Sequence, residues 1–248
     1  MKYYFLLSLS YDGYGYNGWS KQQDIKTTIQ GNLEHALSMF CQSDDFNCWG
    51  ASRTDSHVHA IDQKVKVELS FLPDLDRMIR SLNKILPIDI RVTHIELTTK
   101  DFNIRGAVSK KYQYQIATSE PGVFDGRYYQ YCDSRYFDFK KFKNAIMVFN
   151  GTHNFKHFTS LSETEIVDKE VVRTINSIRV KRLGTKIFIE FTSKGFLTHQ
   201  IRRMVGASIA HAQNKIELQK IINVLQLREG KLDYTAEGKG LFLKKITY

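Results

Sequence analysis

Between Gly50 and Ala60 the chain reads Gly-Ala-Ser-Arg-Thr-Asp-Ser-His-Val-His-Ala, which gathers one carboxylate, one guanidinium and two imidazoles into a short polar stretch. A strand-like run, Phe46 to Trp49, leads in, and the alternating Val65, Val67 and Leu69 lead out. The stretch therefore reads as a loop presented by a rigid sheet, where reactive side chains are commonly displayed. Asp55 could serve as a nucleophile or an acid/base group, and Arg53 could grip a phosphate or fill the space left by a displaced base. The plainer alternative is a polar turn in which the aspartate bonds nearby backbone N–H groups. His57 and His59 are spaced to share a strand face and so hint at a metal. No third and fourth ligand follows at a recognisable spacing, which favours solvated or internally satisfied histidines.

Two further segments could carry chemistry. Lys110-Lys111-Tyr112-Gln113-Tyr114 has strand alternation, with both tyrosines on one face. Tyr112 could stack on a base, although a core tyrosine is the commoner arrangement. Phe196 to Gly206 opens a helix with an apolar stripe of Ile201, Met204 and Val205, which Arg202 and Arg203 leave. Either arginine could meet a carboxylate across a cleft; if that were Asp55, it would keep the acid ionised. Otherwise both are solvated. His157-Phe158-Thr159 looks like half of a paired His-x-Ser/Thr phosphoesterase signature, but the first half of the chain has no matching copy. Deaminase zinc spacing, Walker loops and dinucleotide GxGxxG are absent.

The elements that must position these groups follow from periodicity. Tyr3 to Tyr11 reads as a buried strand broken at Asp12-Gly13. The Gly-, Tyr- and Asn-rich segment after it, with Gly18-Trp19, reads as a flexible loop whose aromatic tips touch RNA or pack over a cleft. Thr27-x-x-Gln30 resembles a capping box before a helix with Ile29, Leu33, Leu37 and Phe40 on one face. The strands Phe46 to Trp49 and Gln63 to Leu69, a helix from Leu75 stopped by Pro87, and a strand from Ile90 to Leu97 complete the order βαββαβ. In the second half, strands are predicted at Lys110 to Ile116, Val171 to Val180 and Lys186 to Thr192, helices ending at Asn150-Gly151 and spanning His199 to Gln213 and Glu217 to Leu225, and a last strand over Leu241 to Ile246. The expected fold class is α+β: two ferredoxin-like (RRM-like) βαββαβ units, residues 1–105 and 106–248, joined into one antiparallel sheet with helices on one face and a basic active-site cleft.

Composition sets limits on function. The 248 residues suffice for one large domain or two small ones, and 42% of them are hydrophobic. Lys plus Arg outnumber Asp plus Glu by 36 to 26, a formal charge of +10, which favours a polyanionic partner. Cys41, Cys48 and Cys132 make an odd set without CxxC spacing, so neither a disulfide framework nor a zinc site is indicated and a reducing cytoplasm fits. The apolar run from Tyr3 becomes polar too soon for a membrane span and lacks a basic leader, so it is expected to belong to the fold.

Tyr11-Asp12-Gly13, Gly18-Trp19, Gly50 to Ala60, Phe102-x-x-Arg105 before Tyr112, Gly151-x-His153-x-Phe155, Arg173-Thr174, Phe196 to Gly206 and Gly240-Leu241 to Tyr248 together resemble the A-type tRNA pseudouridine synthases, over almost the whole chain. The resemblance implies isomerisation of uridines at positions 38 to 40 of the tRNA anticodon arm, without metal or organic cofactor, by a homodimer whose subunits share one tRNA. It implies that Asp55 is the catalytic aspartate, Tyr112 the tyrosine stacked on the uracil and Arg202 the basic partner of Asp55. Leu241 would line the uracil pocket and Arg53 help hold the flipped-out nucleotide. One departure stands out: Ser56-His57 follow the aspartate where the family usually has a small residue or lysine and then glycine. Either the loop sits differently or His57 takes a left-handed conformation.

Overall fold

A computed structural model of the chain describes residues 1–167 and 170–248. They fall into two compact units, Met1–Val108 with Phe242–Tyr248, and Ser109–Leu241.

In the first unit β1 (Tyr3–Tyr11) lies between β3 (His59–Leu69) and β4 (Ile90–Thr98), antiparallel to both. Phe5 to Leu9 are all buried, the pattern of a strand covered on both faces. β2 (Phe46–Gly50) pairs antiparallel with the other edge of β3, but only from Val65 to Leu69. The end of β3 is thereby left open, and β10 (Leu241–Thr247) takes it through Phe242 opposite His59 and Leu243 opposite Ala60. This pairing is parallel. The expectation of a purely antiparallel sheet is corrected accordingly: an unfilled strand edge accepts a partner of either direction, and the sheet is mixed.

Two helices accompany these strands. Thr28 caps α1 (Ile29–Cys41), its hydroxyl accepting from the Gly31 amide at 3.2 Å. The cap lies one residue beyond the expected Thr27, whose hydroxyl instead donates to the Asp24 carbonyl at 2.7 Å. Ile29, Leu33 and Leu37 of the predicted stripe are fully buried, while Phe40 at its end is only half-buried. In α2 (Leu75–Ile85), Asp74 accepts from the Arg77 amide at 2.6 Å and Met78 and Leu82 are fully buried. Ile85 is 37% exposed, so the stripe is narrower than its spacing suggested. Buried Lys66 ties down the chain after β4, donating to the carbonyls of Lys100 at 2.5 Å and Phe102 at 2.9 Å.

In the second unit β5 (Ser109–Ala117), β9 (Lys186–Ser193), β8 (Val172–Leu183) and β7 (Gly151–Asn154) pair antiparallel in that order, and β6 (Gln130–Tyr131) runs parallel to β5. The helices are α3 (Phe139–Met147), α4 (Glu163–Val167), α5 (Gln200–Ala212) and α6 (Leu218–Leu225). α3 packs on α5, and nearly every α5 side chain is buried, Arg202 and Arg203 being the partly exposed ones. A helix covered nearly all round is a core helix, so its start holds those arginines rigidly. The long elements lie where the periodicity placed them. β6, β7 and α4 were not anticipated, being too short to establish a period.

Candidate active site

The Arg53-Thr54-Asp55 loop belongs to the first unit, where β2 hands over to β3. Its entrance is fixed by Ala51, whose amide donates to the Lys64 carbonyl at 2.8 Å. Fully buried Gln63 brackets Ser52, accepting from its amide at 3.2 Å and donating to its carbonyl at 2.6 Å. Beyond the aspartate, the Val58 amide donates to the Asp55 carbonyl at 3.2 Å and closes a turn. Thr54 is buried, Asp55 half-buried and Arg53 exposed. The loop therefore offers a carboxylate at the surface of a rigid base, with a guanidinium two residues away.

The chain after β1 supports this loop. Gly13 and Gly18 are required there by close approach: a Cβ on Gly13 would fall 1.9 Å from the Val58 carbonyl oxygen, and one on Gly18 (φ +99°) 2.7 Å from that of Thr54. Trp19 is 2% exposed, and its amide donates to the Thr54 carbonyl at 3.0 Å. Expected among the aromatic tips of a flexible loop, Trp19 is instead a core residue beneath the loop, because Gly50 leaves room for its indole.

His57 takes the left-handed conformation, φ +64°, at the position where the family pattern has glycine. Its cost, on the order of 1–2 kcal/mol for a residue with a Cβ, is offset locally. The His57 amide donates to the Tyr16 carbonyl at 3.1 Å, and Nδ1 donates to the Tyr14 carbonyl at 2.5 Å. His59 is buried and stacked on Phe242, centroids 4.5 Å apart. Its Nδ1 lies 3.1 Å from the Gly13 amide nitrogen and 3.0 Å from Asp12 Oδ1. That atom cannot accept from one and donate to the other at once, so the tautomer of the ring selects between them. Among the described residues no group of three or more His, Cys, Asp and Glu side chains is placed to hold a metal.

Tyr112, Arg202 and Leu241 all fall in the second unit. Tyr112 is 9% exposed, with the Phe196 ring edge-on at 5.4 Å and 84°. The Arg202 side chain donates from Nε to the Ala236 carbonyl at 2.8 Å, and the Ala236 amide returns a bond to the Arg202 carbonyl at 3.0 Å. One residue on, the Glu237 carbonyl accepts from the Tyr114 hydroxyl at 2.8 Å. The segment leading into Leu241, itself buried, is thus fastened to both α5 and β5. Burial pushes Arg203, Lys231 and His157 below their ordinary pKa ranges, with Arg202 beside Arg203, Arg203 beside Lys231 and Lys156 beside His157 adding to the effect.

Residues 145–248 match the family model described as tRNA pseudouridine synthase. Likeness to curated proteins extends over the whole chain. The tRNA pseudouridine synthase A of Mesoplasma florum is 38% identical over 247 residues, 98% of each chain. That of Phytoplasma mali is 38% identical over 244 residues, covering 98% of this chain and 97% of the relative. That of Streptococcus pneumoniae is 34% identical over 245 residues, 97% of each. The chain belongs to the tRNA pseudouridine synthase A family and is an isomerase that makes pseudouridine. Among the described residues no helix is long and apolar enough to cross a membrane.

Proposed function

We propose that this isomerase acts on uridines 38 to 40 in the anticodon arm of tRNA, with Asp55 as its catalytic residue. The observation that carries the reading is the half-buried Asp55 carboxylate, standing at the motif position of the family's aspartate on a loop bonded to its neighbours before and after it. The reaction breaks the uridine N1–C1′ bond, turns the uracil and joins C5 to C1′; a proton leaves C5 and one is taken up at N1, so no outside reactant is consumed. It needs a base taken from its stack and walls that retain the freed uracil. Attack on C1′, addition to the ring and removal of a sugar proton each use the ionised form of Asp55.

We assign Arg53, Tyr112, Arg202 and Leu241 to binding the flipped nucleotide: Arg53 in the space the base vacates, Tyr112 as stacking surface, Arg202 as a fixed positive charge and Leu241 as apolar wall. The edge-on support of Tyr112 by Phe196 and the anchoring of Arg202 to Ala236 favour these roles, since both side chains are held in place before substrate arrives. The βαββαβ order of the first half supports reading residues 1–105 as a ferredoxin-like unit that carries the catalytic loop; Ser109–Leu241 form the other compact unit, and β10, expected to close a second βαββαβ over residues 106–248, pairs instead with β3 of the first. The excess of basic residues supports a basic cleft, and the three free cysteines support a cytoplasmic enzyme; by family pattern it works as a homodimer.

The test is hydrogen release from C5-labelled uridine in tRNA. Wild type should release it, and Asp55→Asn should bind tRNA but release none. A wild type silent on every tRNA, or an Asp55→Asn variant at wild-type rate, overturns the reading.

A further inference from the structure

The residue before Asp55 is held from two directions. Thr54 is 8% exposed and Tyr11 3% exposed, and their hydroxyl oxygens lie 2.8 Å apart. A buried hydroxyl pair shielded from water is costly to leave half-made. The Thr54 carbonyl is meanwhile bonded by the Trp19 amide at 3.0 Å. Gly18 presses so close behind that a Cβ there would sit 3.1 Å from the Asp55 carbonyl carbon. Tyr11 is itself well fixed. It ends β1 just past a register shift, opposite Ala60 of β3, and its ring lies 6.3 Å from that of Trp19. With both side chain and carbonyl of Thr54 tied down, the backbone feeding Asp55 has little freedom, and the carboxylate is directed from there.

We propose that the buried Tyr11–Thr54 hydroxyl pair sets the position of the Asp55 carboxylate for the isomerisation, which makes Tyr11 and Thr54 positioning residues of the reaction. The inference rests on the assignment of Asp55 as catalytic. Neither hydroxyl reaches the substrate. Each acts through the backbone of the loop, so its loss affects the chemical step and not the capture of tRNA.

The experiment uses the full-length protein as Tyr11→Phe, Thr54→Val, Thr54→Ser and the Tyr11→Phe/Thr54→Val double variant, with Asp55→Asn as reference. Single-turnover hydrogen release from C5-labelled tRNA, tRNA affinity and the folded fraction by circular dichroism are measured on each. Because misplacement by about 1 Å can cost on the order of a hundredfold in rate, Tyr11→Phe and Thr54→Val should slow release by about tenfold to a hundredfold, with tRNA affinity unchanged. Thr54→Ser keeps the hydroxyl and should stay within about threefold of wild type. The double variant should be no slower than the worse single, since both remove one interaction. Tyr11→Phe deletes a single oxygen and keeps the ring, so its result stands even if Thr54→Val folds poorly. The proposal is overturned if Tyr11→Phe and Thr54→Val release hydrogen at the wild-type rate, or if their losses only track tRNA affinity or folded fraction. Full activity in Asp55→Asn would remove the catalytic assignment itself, whereas an inactive Asp55→Asn beside fully active pair variants would remove this inference alone.

Discussion

Gly50→Ala adds a methyl group where the structure has no room for one. A Cβ built on Gly50 falls 2.5 Å from Trp19 Cε2 and 2.6 Å from both Cζ2 and Nε1. Carbon atoms in favourable contact stand about 3.5–4.0 Å apart, so the indole would have to retreat by about 1 Å. It cannot do so freely, being 2% exposed with its own amide bonded to the Thr54 carbonyl. Gly50 is equally constrained, lying opposite Val65 in β3. Inserting a methyl into such packing costs about 1–3 kcal/mol, and the clash with a rigid ring places this case in the upper part of that range. With a urea m-value of about 2 kcal/mol/M, the unfolding midpoint should fall by about 1 M. The assay is urea unfolding followed by tryptophan fluorescence, with Gly15→Ala as control. A Cβ on Gly15 meets nothing within 4 Å, and the control should stay within about 0.5 kcal/mol of wild type. Hydrogen release from C5-labelled tRNA should also slow in Gly50→Ala, because Trp19 holds the residue before Asp55. A Gly50→Ala protein with the midpoint and rate of wild type would show that the indole does not fill this space and that the loop does not depend on it.

Two further outcomes follow from buried polar groups. Lys66→Met keeps the aliphatic stem but leaves the Lys100 and Phe102 carbonyls without their charged donor, and should cost about 1–3 kcal/mol; hydrogen exchange should quicken over residues 100–105, and unchanged exchange there would refute the anchoring role. Burial, with Lys156 beside it, holds His157 below 6.5, its ordinary value. The unfolded chain then binds the proton more readily than the folded one, so this group's contribution lets stability rise with pH through the window below 6.5 and makes no difference above it. His157→Gln should flatten that acid limb in unfolding measured across pH, and an unaltered slope would remove the assignment.

Much of this protein could be read locally. The spacing of Met78 and Leu82 before Pro87 and the apolar stripe of α5 each follow a helical period, while the short apolar run of Tyr3–Tyr11, ended by Asp12-Gly13, reads as a strand by its length and its break. The polar loop around Asp55 announced itself because its residue types have no packing reason to sit together. Four-residue β7 and five-residue α4 escaped, since so few positions cannot distinguish periods. What sequence could not reveal involves partners far apart along the chain. Tyr11 and Thr54 are 43 positions apart, and nothing in either neighbourhood marks their hydroxyls as a pair. Trp19 reads as an aromatic tip of a flexible loop, touching RNA or packing over a cleft, until β2 brings Gly50 against it, and the parallel seat of β10 depends on how much of the β3 edge β2 leaves open. Residue types and their periods thus determined the elements and the reactive groups by themselves, because those depend on neighbours a few positions away. Tertiary structure alone decided which buried groups meet, which edge a strand occupies and that His57 takes a glycine's backbone angle, because each depends on close packing between segments whose separation in sequence carries no signal.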